Sequence, residues 1–154
     1  MVVDNKVRHL NIMSTYNDSF PVSIYNCKGL WTLVISTSKL PSLPSDSFSK
    51  LKSIRTLKFK GNSIKEVPES IGGLVHLRYL DLSGNGKLEE LPDSVGNLFN
   101  LETLLLKWCW GLRELLDGGE DDEGIFKLGD LGNLEQLQGS LWIGNLKSSK
   151  DGSR

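Results

Sequence analysis

The chain realigns on itself. The segment running through Ile54, Leu57, Phe59, Asn62, Ile64, Val67, Pro68, Ile71 and Leu74 superimposes on Leu77, Leu80, Leu82, Asn85, Leu88, Leu91, Pro92, Val95 and Leu98. The offset is 23 residues as far as the asparagines and 24 beyond them, so one residue has been inserted in between. A third copy begins at Leu101 and carries Leu104, Leu106, Cys109, Leu112 and Leu115 in the same places; upstream copies hold Leu30, Leu33 and Ile35, then Val7, Leu10 and Ile12. A unit this short cannot bury its own apolar edge, so a fixed period of this length means stacked coils that share one core.

Each position in the unit has a physical reason, and the pattern L-x-x-L-x-L-x-x-N/C-x-L at this period is that of the leucine-rich repeat. In a short strand alternate side chains face opposite ways, which turns Leu57 with Phe59, Leu80 with Leu82 and Leu104 with Leu106 inward. Asn62 and Asn85 fall where the chain leaves the strand, and a buried amide there can satisfy backbone groups that would otherwise cost about 1–3 kcal/mol each. Cys109 takes this ladder position in the third copy, as a small core thiol with a weak hydrogen bond to offer. Pro44, Pro68 and Pro92 then open short segments (45–51, 69–74 and 93–98) expected to form one helical or 3-10 turn each, with proline at the first helical position.

The expected fold is therefore an α/β solenoid: a parallel sheet on the concave face and short turns on the convex face. One domain is expected over residues 1–146, with repeats near 7–29, 30–53, 54–76, 77–100 and 101–116 and an irregular stretch at 117–146. In that stretch Gly139-Ser-Leu141-Trp-Ile143 is the next strand candidate, 37 residues after Leu104. The tail 147–154 has no apolar residue and is expected to be disordered.

Composition removes several function classes. The 154 residues carry a net charge of -1, which gives no overall basic field for nucleic acid or anionic lipid. With 27 leucines and no alanine the chain is a poor helix bundle. Cys27 and Cys109 are the only cysteines, far apart and without metal-ligand spacing. Asp4, Lys6 and Arg8 interrupt the first ten residues, and no run approaches the ~20 apolar residues of a membrane span, so a cytoplasmic location and no membrane partner are expected.

Catalytic and cofactor signals are missing as well. The one Gly-Lys pair, Gly86-Lys87, is followed by Leu88 and makes no phosphate loop. His9 and His76 have no nucleophile or carboxylate partner that the repeat geometry suggests. Glu120-Asp-Asp-Glu123 lacks the alternating spacing of a calcium loop and reads as a solvated surface. No catalytic residue, metal or cofactor is assigned, which leaves a protein-interaction module.

The candidate surface is the row of outward strand residues. One column holds His9, Thr32, Thr56, Tyr79 and Thr103; the next Asn11, Val34, Lys58, Asp81 and Leu105; a third Met13, Ser36, Lys60, Ser83 and Lys107. Lys58 and Asp81 stand on neighbouring strands and either pair with each other or face a partner. Leu105, Trp108, Trp110 and Trp142 gather apolar surface toward one end, either as a binding patch or as packing against the acidic loop or a neighbouring domain. The residues assigned to partner binding are Lys58, Lys60, Tyr79, Asp81, Leu105, Lys107 and Trp108.

These residues resemble a known group, the leucine-rich-repeat region of plant intracellular nucleotide-binding resistance proteins (NLRs) of the coiled-coil class. Val7-Arg-His-Leu10-Asn-Ile12 resembles the first repeat after the nucleotide-binding module, and Leu77-Arg-Tyr-Leu80-Asp-Leu82 and Leu91 to Leu98 resemble its later repeats. Asp121-Asp-Glu-Gly124, Leu128-Gly-Asp-Leu131-Gly-Asn-Leu134 and Gly139-Ser-Leu141-Trp-Ile143-Gly-Asn-Leu146 resemble a stretch peculiar to that group. The resemblance implies a role in plant defence: recognition of a pathogen effector or a guarded host protein, and restraint of the parent receptor's nucleotide-binding module. A cytosolic leucine-rich-repeat scaffold of the Ras-signalling type is the alternative; it shares the Leu-Pro-x-x-Ile spacing but has uniform repeats and no Gly-Ser-Leu-Trp-Ile segment.

Overall fold

The computed structural model describes residues 6–14, 19–37, 40–114 and 140–142. Six strands form one parallel sheet in chain order: β1 (His9–Ser14), β2 (Thr32–Thr37), β3 (Thr56–Lys58), β4 (Tyr79–Asp81), β5 (Thr103–Leu105) and β6 (Ser140–Trp142). Every neighbouring pair is parallel, which requires the chain to cross the back of each coil before the next strand. The register sets Leu10, Leu33, Leu57, Leu80, Leu104 and Leu141 in one row, so the 37-residue step to Leu141 keeps the leucines aligned. Apart from β6, the irregular stretch 117–146 and the tail 147–154 lie outside the described residues.

Hydrophobic burial changes period once per coil. In β2 the alternation is strict, with Leu33, Ile35 and Thr37 buried and the residues between them half-buried. Past the strand the period becomes three. Amide groups reach back three residues along Pro68, Ile71, Leu74 and Leu77, with N···O distances of 2.9–3.0 Å, and along Pro92, Val95, Leu98 and Leu101. That is 3-10 spacing, which stacks every third side chain on one face, and Ile71, Leu74 and Leu77 are indeed all buried. Each fully buried leucine contributes about 1.5–3 kcal/mol, nearly all of it from contact between coils.

The 3-10 turns span Val22–Asn26, Glu69–Gly73 and Asp93–Asn97. Proline sits one position earlier than expected. Pro68 (φ -70°, ψ 150°) and Pro92 (φ -68°, ψ 149°) are extended residues before the turn, where a carbonyl begins the 3-10 series and no amide hydrogen is needed. Residues 45–50 form hydrogen-bonded turns in place of a 3-10 helix, and there Phe48 is buried 6.1 Å from Phe59. Gly72 lets adjacent turns touch: a Cβ on it would fall 2.6 Å from Ser94 Cβ and 2.7 Å from the Ser94 carbonyl oxygen.

The asparagine ladder binds each coil to the one before. Asn62 Nδ2 donates to the Ile35 carbonyl (3.0 Å), and Asn62 Oδ1 accepts from Thr37 N (3.2 Å) and Thr37 Oγ1 (2.8 Å). Asn85 Nδ2 donates to the Phe59 and Leu82 carbonyls (both 2.7 Å), and its Oδ1 accepts from Ile64 N (3.2 Å). Cys109 Sγ donates to the Leu82 carbonyl at 3.1 Å. A thiol suffices there because the acceptor's task has lapsed. Leu88 N, the counterpart of Ile64 N, already donates to the Asn85 carbonyl (3.0 Å) across the turn that contains the inserted residue.

Candidate functional site

The columns assemble in the expected order, although Ser83 in the third and Asp81 in the second are buried. Strand register aligns His9, Thr32, Thr56, Tyr79 and Thr103, and beside them Asn11, Val34, Lys58, Asp81 and Leu105. Backbone bonds carry the rows past the strand ends: Gly61 N donates to the Ser83 carbonyl and Gly84 N to the Lys107 carbonyl, placing Lys60, Ser83 and Lys107 on successive rungs. Lys60 is exposed; Lys58, Tyr79, Leu105 and Lys107 are half-buried.

Asp81 departs from the expectation of an outward, partner-facing carboxylate. It is only 6% exposed, and its Oδ1 accepts a hydrogen bond from Ser83 N at 2.9 Å. A short acid can fold back onto an amide two residues on, and the strand ends there, so the backbone claims it. It makes no ion pair with Lys58. The Lys58 ammonium instead lies over the Tyr79 ring, 4.9 Å from its centroid. Partial burial, and secondarily the Asp81 carboxylate, push the Tyr79 phenol above its ordinary value, so it stays a neutral donor.

At the trailing end Trp108 and Trp110 remain 47% and 45% exposed and flank the buried Cys109. Trp108 has a left-handed backbone, φ 60°, in the rung where Gly61 (φ 73°) and Gly84 (φ 80°) hold the same conformation. Trp110 lies over Gly86, whose added Cβ would stand 3.3 Å from the Trp110 ring. β6 pairs with β5 so that Trp142 is in register with Leu105.

A third feature escaped the sequence reading. One residue ahead of each strand's first outward column stand Arg8, Trp31, Arg55, Arg78 and Glu102, all exposed. Arg8 and Arg55 place their guanidinium carbons 5.6 and 4.9 Å from the Trp31 ring centroid, and Arg78 bonds Glu102 at 2.9 Å. His9 meets Trp31 edge-on, with its Nδ1 3.0 Å from Thr32 Oγ1. The same alignment that yields the outward columns yields this one by reading a residue earlier. Among the described residues no group of His, Cys, Asp and Glu could hold a metal ion, and no helix is long and apolar enough to cross a membrane.

Known proteins share the repeat and its fold. Residues 28–86 match the leucine-rich-repeat family and residues 76–98 match a second leucine-rich-repeat pattern. A relative from Solanum bulbocastanum named disease resistance protein RGA1 is 44% identical over 54 residues, 35% of this chain and 5% of that protein. The structure of a TDR receptor superimposes with a TM-score of 0.58 at 29% identity, covering 68% of this chain and 18% of the receptor's. A leucine-rich-repeat protein of Leptospira interrogans gives a TM-score of 0.52 at 23% identity over 77% of this chain and 38% of its own. The chain therefore spans a small part of each protein it resembles. Its fold is a leucine-rich-repeat solenoid, an architecture used for protein interaction, and part of its sequence is shared with a plant disease resistance protein.

Proposed function

We propose that the chain is a non-catalytic recognition module of a cytoplasmic plant disease resistance protein of the coiled-coil NLR class. Its concave face would recognise a pathogen effector or a guarded host protein and, in the parent receptor, hold the nucleotide-binding module inactive. The observation that carries this reading is the 44% identity to the Solanum disease resistance protein within the repeats. The surface suits the role: half-buried Lys58, Tyr79 and Leu105 on successive rungs end at the exposed Trp108, and Tyr79 and Trp108 are aromatics of the kind that anchor interfaces. Lys60 and Lys107 form the rim, while Asp81 supports the strand end from below.

The test is association in trans. The full chain is co-expressed in leaf cells with the coiled-coil and nucleotide-binding modules of a receptor of this class as a separate polypeptide, and the two are co-purified. Co-purification is expected, together with its loss in the double variant Lys58→Glu, Leu105→Glu. Equal recovery with that variant would overturn the site, and no recovery with the unaltered chain would overturn the restraining role.

A further inference from the structure

The chain has one Asn-Gly pair, Asn85-Gly86, and it lies in the ladder. In such a pair the backbone nitrogen after the asparagine can attack the side-chain Cγ and close a five-membered imide, because glycine neither blocks the approach nor restricts the backbone. The exposed asparagines among the described residues, Asn11, Asn26, Asn97 and Asn100, precede Ile12, Cys27, Leu98 and Leu101, whose side chains hinder that attack. The reactive pair is thus the buried one. Asn85 is 0% exposed, and its amide is held by the Phe59 carbonyl, the Leu82 carbonyl and Ile64 N. The backbone on either side is fastened to the following coil: Gly84 N donates to the Lys107 carbonyl (2.7 Å) and Gly111 N to the Gly86 carbonyl (2.9 Å). Gly86 does not share the left-handed backbone of Gly61 and Gly84, so the turn itself does not demand a glycine there.

We propose that Asn85-Gly86 is a self-modifying site: it deamidates only when the coil around it opens, and the aspartate or isoaspartate left at position 85 keeps that coil from closing again. In the opened chain Gly86 N, having lost its proton to solvent, attacks Asn85 Cγ. The N–Cγ bond forms, the Cγ–Nδ2 bond breaks and ammonia leaves. Water then opens the imide at either carbonyl, giving aspartate or its backbone-lengthened isomer. In the folded coil the Nδ2 donor stands 2.7 Å from two carbonyl oxygens, and a carboxylate oxygen in its place is repelled by both while losing its water. The isomer adds a carbon to the main chain, which displaces Gly86 from its bond with Gly111 and from the Trp110 ring. The join affected carries Lys58 on β3 with Tyr79 and Asp81 on β4, so a modified chain loses the middle of its concave face permanently.

The full chain is held at neutral pH over days, in buffer and in a series of urea concentrations. Trypsin releases residues 79–87, which contain Asn85 as their single asparagine, and mass spectrometry reads the conversion of amide to acid. Conversion in buffer is expected to be about a hundred-fold slower than in fully unfolding urea, because it waits for the coil to open. The rate should climb with urea already below the unfolding midpoint, where open coils become more frequent. Gly86→Ala should slow conversion about ten-fold in unfolding urea, which identifies the imide route. Asn85→Asp, which installs the product directly, should unfold at a lower urea concentration than the native chain or fail to fold. Equal rates in buffer and in unfolding urea, a rate that stays flat up to the midpoint, an unslowed Gly86→Ala chain, or an Asn85→Asp chain as stable as the native one would each overturn the proposal.

Discussion

Trp108 holds, at φ 60°, the left-handed backbone that Gly84 holds at φ 80° one coil earlier. The rung needs that conformation because the chain turns out of the strand there, toward the ladder side chain. Glycine adopts it at no steric cost, whereas a residue with a Cβ gives up about 1–2 kcal/mol. Trp108 is 47% exposed, so about half of its surface is buried against the coil and offsets this cost. The proposed partner surface would use the exposed half of this side chain.

The two glycines of that rung should differ. A Cβ on Gly61 meets nothing within 4 Å, while one on Gly84 would stand 3.1 Å from the Gly61 backbone. Gly61→Ala is expected to cost about 1 kcal/mol from the left-handed backbone alone, and Gly84→Ala more, about 2 kcal/mol. Urea unfolding of the two variants checks the order; equal costs would mean that the coils yield freely at this contact.

Asn85→Ala removes the bonds to the Phe59 and Leu82 carbonyls and to Ile64 N at once. A loss of about 3 kcal/mol is expected from those buried groups. Cys109→Asn should not gain what the ladder gives elsewhere. Leu88 N is already engaged by the Asn85 carbonyl, so the new amide oxygen would be buried without that donor and stability should fall by about 1 kcal/mol. A stabilised Cys109→Asn protein would refute this explanation of the cysteine.

Burial pushes the Cys109 thiol up to about 11; the Asp81 carboxylate adds to the rise, and backbone hydrogen bonds from Asn85 and Gly84 oppose it. The folded value lies above the unfolded one, so the native state keeps a proton that the unfolded chain has released. This contribution is complete below the ordinary thiol value near 9 and fades as pH rises through about 11. It amounts to about 2 kcal/mol. Urea midpoints at about pH 8 and about pH 10.5 should fall further for the native protein than for Cys109→Ser, whose hydroxyl does not titrate there.

What the sequence made legible follows the repeat. Leucine spacing placed β1 to β5 in register, because burial of one row admits a single alignment; at Leu141 it marked a strand but not its register, since the repeat breaks after Leu116. The ladder roles of Asn62 and Asn85 followed from the same logic. Asp81 was less transparent: alternation assigns a side chain to a face, but a short carboxylate at a strand end can turn back to Ser83 N and leave that face. Trp31 was missed for a different reason. Its neighbours Arg8 and Arg55 are 23 and 24 residues away in sequence, so their contact exists only once the coils are stacked.

The central claim, that the trailing end of the outward surface is kept for a partner at some cost to the fold, is tested most directly by Trp108→Gly. Stability by urea unfolding and co-purification with the separately expressed nucleotide-binding module are measured on the same preparation. The expected result is a stability changed by no more than about 1 kcal/mol, because relief of the backbone offsets the lost burial, together with loss of association. A destabilised variant that still associates fully would contradict the account, since Trp108 would then be serving the core.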